Sequence, residues 1–189
     1  YYPPDPASLD QCSIGGNVAE NAGGPRAYKY GVTGDYVLGL KGFFASGEPF
    51  SFGGKLYKDV EGYDIKRLLV GSEGTLAVIT EITLKLVTHP KVIQNCCVSF
   101  QDYSYAVDAL GAIHRANMVP SAAEFIDADC MDCVRTYLHR SDMLIRPSVI
   151  FEVDGSDVDQ VAADLSAIQT ICERDYSAVS FLKGDRLST

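Results

Sequence analysis

The sequence predicts an α+β protein in two parts, 1–90 and 91–189, that meet near His89-Pro90. Three observations predict it. Residues before Pro90 are dense in glycine and patterned as strands and turns. Residues after it alternate strand-like runs with amphipathic helices. The 189 residues suffice for one generous domain or two small ones with a hydrophobic core.

Composition narrows the classes. Hydrophobic residues make up 47% and charged residues 22%, as in ordinary globular proteins. No apolar run approaches the ~18 residues of a membrane helix. Disordered, collagenous and membrane-spanning classes are therefore excluded. Lys plus Arg total 16 against Asp plus Glu 25, a net charge of −9. That balance argues against nucleic acid, whose backbone calls for a basic face.

In the first part, Gly15-Gly16 and Gly23-Gly24 bracket residues 17–22, which predicts a tight loop with one helical turn. Residues 35–44 read as a strand, Ser46-Gly47 as a turn and residues 48–52 as the hairpin partner. Residues 64–70 read as a short helix, capped by Asp64 and stopped at Gly71. Residues 76–87 form the clearest strand. Leu76, Val78, Ile82, Leu84 and Leu86 share one face, with Thr80 the exception. Glu81, Thr83 and Lys85 lie on the other, which opens with apolar Ala77 and Ile79, so a cover is expected at that end.

In the second part, residues 92–100 read as a strand. The helix after it carries Tyr103, Ala106, Leu110 and Ile113 at steps of three and four. Residues 123–126 form a short strand and residues 129–138 a helix with Met131, Val134 and Leu138 on one stripe. Residues 148–153 form a strand. Val158, Val161, Leu165, Ile168 and Cys172 give the strongest helix signal, with Ser156 and Asp159 resembling a capping box. Residues 178–182 form the last strand. With the helix at 129–138 set aside, the order β-α-β-β-α-β is the split motif of ferredoxin-like domains.

The familiar nucleotide and hydrolase signatures are missing. No G-x-G-x-x-G follows a strand, and G-x-x-x-x-G-K-[ST], H-E-x-x-H and G-x-S-x-G are absent. Six cysteines are too sparse for a disulfide framework. Cys130 and Cys133 make one C-x-x-C without a second pair, half a zinc site, so no metal is expected and the cysteines read as small core residues. Adjacent Cys96 and Cys97 should point to opposite faces of their strand. The chain opens on Tyr1-Tyr2-Pro3-Pro4 with no signal-peptide pattern, which gives the expectation of a cytoplasmic protein and of a fragment.

Two glycine-rich stretches remain, residues 13–24 and 71–79. Glycine lets a backbone approach a ligand closely, and successive N–H groups form anion-binding nests. It also serves tight turns, and residue chemistry alone leaves both readings open.

The exact run weights them. PPDPASLDQCSIGGNVAENAGGPRAYKYGVTGDYVLGL, then GG, GYD and GSEGTLAVITEITLKL, closely resembles the FAD-binding oxidases and dehydrogenases of the vanillyl-alcohol oxidase type. Within them it is most similar to the bacterial glycolate oxidase FAD subunit and D-lactate dehydrogenase group. The resemblance is strong over residues 2–90. Over 91–189 it rests on the order of elements, as the start of a ferredoxin-like cap domain after the second part of an FAD-binding domain.

The resemblance implies FAD as cofactor, bound without a Rossmann fold. It places Pro6, Ser8, Leu9 and Cys12 along the flavin and pyrophosphate, counts Ser13, Gly15, Gly16 and Asn17 among the cofactor-binding residues, and sets Ala19, Asn21 and Ala22 at a second contact. It places Glu73, Gly74, Ala77, Val78 and Ile79 at the adenosine end, with the family's common glycine replaced by Ala77. It implies oxidation of a small D-2-hydroxy acid such as glycolate or D-lactate, by hydride transfer to flavin. An iron–sulfur or electron-transfer flavoprotein is the implied protein partner. The carboxylate-binding Arg, metal-binding His pair and acid–base residues of the family would fall beyond Thr189, so no catalytic residue is assigned here. The alternative reading is a non-catalytic flavin-binding or electron-transfer accessory subunit.

Overall fold

The computed structural model describes residues 1–184, in two compact units that divide between His89 and Pro90. No helix among the described residues is long and apolar enough to cross a membrane.

The first unit runs α1 (Ile14–Glu20), α2 (Ala27–Tyr30), a 3-10 turn (Thr33–Asp35), β1 (Val37–Phe44), β2 (Pro49–Gly53), α3 (Ile65–Leu69) and β3 (Ala77–Leu84). The three strands form an antiparallel sheet in the order β2-β1-β3. Residues 14–20 are a full two-turn helix rather than the single turn expected between the glycine pairs. Ser13 explains this, because its side chain caps the helix by accepting from Gly16 N at 3.0 Å. In α3, Asp64 does cap, accepting from Arg67 N at 3.2 Å, and the chain leaves the helix through Val70 into left-handed Gly71.

The β3 face pattern corrects the sequence reading. Lys41 pairs with Glu81 but Gly42 pairs with Ile79, so Thr80 is an extra residue in β3. The bulge flips the alternation. Ala77 and Ile79 lie on the same side as Ile82 and Leu84, and all four join a core with Val18, Leu40 and Leu69. Val78, placed by simple alternation beside Ile82 and Leu84, is instead 66% exposed. Gly42 is needed at the bulge, since a Cβ there would collide with the Val78 carbonyl.

The second unit runs β4 (Val92–Phe100), α4 (Tyr103–Arg115), β5 (Ala122–Ile126), α5 (Ala128–Tyr137), β6 (Ser148–Gly155), α6 (Val158–Asp175) and β7 (Ala178–Gly184). All neighbours are antiparallel, in the order β5-β6-β4-β7. With α5 set aside this is the ferredoxin-like arrangement. One sheet face presents Cys96, Val98, Phe100, Val149, Phe151 and Val153 to Ala106, Ala109 and Ile113 of α4 and Val161, Leu165, Ile168 and Cys172 of α6. The cap of α6 is Asp157, which accepts from Asp159 and Gln160 N–H groups, not the Ser156 of the expected capping box. A carboxylate is the better cap, because its charge complements the helix N-terminus.

Cysteine placement splits the expectation. Cys96 and Cys172 are buried in the core, and burial pushes both thiols up to about 12. Cys130 and Cys133 are exposed on α5 and are not core residues. Among the described residues, no group of three or more His, Cys, Asp or Glu is placed to hold a metal ion.

Candidate functional site

The first unit carries a groove of about 500 Å³ where the N-terminal segment meets α1. The segment is fixed at several points. Its ammonium group donates to the Val87 carbonyl. The Thr33 hydroxyl donates to Ala22 O at 2.8 Å, so the Tyr2 hydroxyl, 2.6 Å away, donates to Thr33. Burial raises the Tyr2 phenol, which stays protonated to make that bond. Asp5 pairs with Arg26 at 3.6 Å, and its carbonyl packs so closely on Gly24 that a Cβ there would collide with it. Residues 6–12 then wind through successive turns, with Leu9 N donating to Pro6 O and Cys12 N to Ser8 O, both at 2.8 Å.

This winding lays Pro6, Ser8, Gln11 and Cys12 against Ser13, Gly16, Asn17 and Glu20 of the helix, and Ala22 and Gly23 close the end. Positions 13, 16, 17 and 20 are spaced as one helical face. The walls are small or carry hydroxyls and amides. Gly16 leaves the space that a Cβ would take at 3.3 Å from Ser13 Oγ. Glu20 is the charged member of the lining, and no cation belongs to it. The cation nearest in sequence beyond the groove, Arg26, is held by Asp5, and Arg67 bonds Asp35 at 2.9 Å. Asp35 is held below the usual carboxylate range by the Val32 N–H and by Arg67.

The second glycine-rich stretch is bound to this helix by backbone. Gly71 N donates to Val18 O and Glu73 N to Ala19 O, each at 2.9 Å. Gly71, Glu73 and Gly74 are all left-handed, the conformation that turns these N–H groups onto the last carbonyls of α1. Asn21 completes the joint. It ends α1 in a left-handed conformation, φ 52°, and its Oδ1 accepts from Gly34 N at 2.8 Å. A Cβ at Gly71 would lie 3.2 Å from the Asn21 Cβ.

The structure therefore brings Pro6, Ser8, Cys12, Ser13, Gly16, Asn17 and Ala22 together around one groove. It ties Glu73 to Ala19, and it assigns Asn21 to the joint between elements rather than to the groove lining. Leu9 and Gly15 are exposed outside the lining, as is Gly74. Ala77 and Ile79 do not reach the groove, because the core of their own unit covers them, and Val78 points to solvent. Gln11, Glu20 and Gly23 also line the groove; they lie within the stretches marked in the sequence but were not named individually as cofactor residues, and a helix read through Gly15-Gly16 would have found Glu20 by its spacing.

The chain thus sets a groove of small and polar residues on its first α+β unit and follows it with a ferredoxin-like unit. The chain belongs to the family of FAD linked oxidases, C-terminal domain, which matches residues 89–184. Residues 1–53, which contain the whole groove, match the FAD binding domain family. Among relatives, the chain is 38% identical over 174 residues to the glycolate oxidase subunit GlcD of Bacillus subtilis (strain 168), covering 92% of this chain and 37% of that one. It is 38% identical over 157 residues to a D-lactate dehydrogenase of Anaerostipes hadrus, covering 83% and 32%. It is 34% identical over 177 residues to a D-2-hydroxyglutarate dehydrogenase of Xanthomonas citri pv. viticola, covering 93% and 37%. The chain thus spans about a third of the length of these curated relatives. Alkyldihydroxyacetonephosphate synthase shares the fold with a TM-score of 0.74 at 21% identity, over 97% of this chain and 36% of that one. So does p-cresol methylhydroxylase, with 0.72 at 13%, over 97% and 41%.

Proposed function

We propose that this chain is part of an FAD-dependent oxidoreductase that converts a small D-2-hydroxy acid to the 2-oxo acid. The observation that carries the reading is the groove at residues 6–23, formed inside the segment that matches the FAD binding domain family. The three relatives above, with names that all denote oxidation of a 2-hydroxy acid, support the substrate class.

The groove residues suit the uncharged parts of FAD. Gly16, Ala22 and Gly23 allow close approach of a flat ring or ribose, while Ser8, Gln11 and Asn17 offer hydroxyl and amide partners. They do not suit a pyrophosphate, because Glu20 opposes its charge and the lining holds no cation. These residues bind and orient; none is assigned a proton transfer. FAD, when bound, supplies the electron acceptor for the oxidation. Removing a hydride and a proton from the hydroxyl-bearing carbon and its oxygen also requires groups that hold the carboxylate and take the proton, and this reading assigns them to no residue of this chain. The name "subunit" on the glycolate oxidase relative supports assembly with a protein partner; that the partner receives the electrons, as an iron–sulfur protein or electron-transfer flavoprotein would, is part of the proposal.

The test is a chimera in which this chain replaces the matching third of the Bacillus subtilis GlcD subunit. Retained flavin and 2-hydroxy-acid-dependent dye reduction is the expected result. A folded chimera that loses its flavin contradicts the reading.

A further inference from the structure

Helix α5 carries a pair of thiols that the cofactor reading does not use. Cys130 and Cys133 are both exposed and stand one helical turn apart. Residues at i and i+3 of a helix share a face, and their side chains lean toward the helix N-terminus, so Cys133 reaches back over the turn that holds Cys130. Asp127 heads this face. Its Oδ1 accepts from Cys130 N at 2.7 Å. The same carboxylate takes a bond from the Cys130 thiol and raises it, and Cys133 stands close enough to raise it further. The core shuts in Cys96 and Cys172, which leaves α5 with the exposed thiols of the second unit.

This placement disfavours a redox couple. In a helix, Cβ atoms at i and i+3 lie about 5–6 Å apart. A disulfide asks for about 3.5–4.5 Å. Closing an S–S bond would pull the turn out of helical geometry and disturb the Asp127 cap. The thiolate, not the thiol, attacks an oxidant, and Asp127 holds Cys130 as the thiol. A single atom set between the two sulfurs spans the longer gap and leaves the helix intact. That atom must be soft and satisfied by two thiolates. Zinc takes four ligands, and among the described residues no group of three or more His, Cys, Asp or Glu is placed to hold a metal ion. Charge narrows the choice again. Asp127, Asp129 and Asp132 flank the pair, and Arg135, the cation of α5, bonds Asp132 at 3.2 Å. Anionic thiol reagents are repelled there, whereas an uncharged electrophile is not.

We infer that Cys130 and Cys133 form a dithiol site that captures an uncharged trivalent organoarsenical, with the arsenic bridging the two sulfurs. With phenylarsonous acid, the hydrate of phenylarsine oxide, two S–H and two As–O bonds break, two As–S bonds form and two waters leave. Arsenic stays trivalent and keeps its carbon substituent, so the step needs no oxidant or reductant. The site goes beyond the oxidoreductase reading and does not rest on it.

The test adds phenylarsine oxide to the reduced full chain and reads the product by native mass spectrometry and by counting free thiols. The expected result is one arsenic per chain and the loss of two thiols, with the adduct surviving excess glutathione and released by 2,3-dimercaptopropanol. Cys130→Ser and Cys133→Ser should each weaken capture by about 10²–10⁴-fold, because the second As–S bond forms within one molecule. Both positions are exposed and the replacement is close in size, and circular dichroism checks that the fold is unchanged. A moved thiol separates a matched pair from a mere count of two. Cys133→Ser with Asp132→Cys sets thiols at i and i+2, which do not face each other, and should capture no better than Cys133→Ser alone. No capture by the parent, capture that survives the loss of either cysteine, or equal capture by the moved-thiol variant would overturn the inference. Ready closure of a Cys130–Cys133 disulfide by oxidised glutathione would overturn it as well, since the helix would then accept the direct bond. FAD and turnover play no part, so failure here leaves the oxidoreductase reading standing, and failure of the chimera leaves this capture intact.

Discussion

Replacing Asn21 tests how the first unit is joined. Asn21 does two things at once: it holds a left-handed backbone at the end of α1, and its Oδ1 accepts from Gly34 N at 2.8 Å. Asn21→Ala removes the acceptor, a loss of about 0.5–1.5 kcal/mol. It also places a residue without Asn's tolerance in the left-handed region, where the steric penalty is roughly 1–2 kcal/mol. The total, about 2 kcal/mol, would lower the melting temperature of a unit this size by roughly 8–16 °C. Asn21→Gly loses the same acceptor without the steric penalty, and its added unfolded-state entropy costs about 0.4–1 kcal/mol. Asn21→Gly should therefore be the milder variant. Denaturant unfolding followed by circular dichroism gives the order, and hydrogen exchange gives the local reading, with Gly34 N–H losing protection in both. An alanine variant as stable as the parent, or a glycine variant weaker than alanine, would refute the assignment of Asn21 to this joint.

Other expectations follow from the same packing. Ala77→Phe should destabilise the first unit by about 1–3 kcal/mol with or without FAD, because Ala77 lies in the core; a defect confined to cofactor retention would contradict that placement. In native protein, Cys130 and Cys133 should react first with a thiol reagent, and Cys96 and Cys172 only on unfolding, as peptide mapping of labelled protein can check. Burial holds Cys96 and Cys172 protonated up to about 12, whereas unfolded thiols ionise near 9. Stability of the second unit should therefore be full below about pH 8.5 and fall from there toward pH 12, and the double variant Cys96→Ala, Cys172→Ala should flatten that slope in unfolding curves. This chain alone should show no 2-hydroxy-acid-dependent dye reduction even with saturating FAD; saturable turnover would relocate the active site into residues 1–189.

The second unit was largely legible because its signals are local. The three-four spacing of Val161, Leu165, Ile168 and Cys172 and the alternation in Val92–Phe100 are read one element at a time, and the core confirms them. What escaped depends on partners distant in sequence. The bulge at Thr80 exists through the register with β1, so alternation alone placed Val78 on the wrong side. The helix Ile14–Glu20 contains two glycines, which propensity counts against it; Ser13 and the donors from Gly71 and Glu73 hold it. Residue chemistry left the glycine-rich stretch open between a turn and a ligand site, and the family resemblance is what pointed to most of the groove at residues 6–23, while Glu20 and Gln11 needed the helix and the turns before it to be placed. The cover expected for Ala77 and Ile79 was real, but the unit's own side chains provide it.

The most direct test of the central claim is a ¹⁵N-resolved NMR titration of this chain with FAD, which reports even weak binding residue by residue. The account predicts shifts that saturate together at Ser8, Gln11, Cys12, Gly16, Asn17, Glu20 and Gly23, with Val78 and the second unit unmoved. Shifts centred on β3, or none at FAD concentrations in the millimolar range, would contradict it.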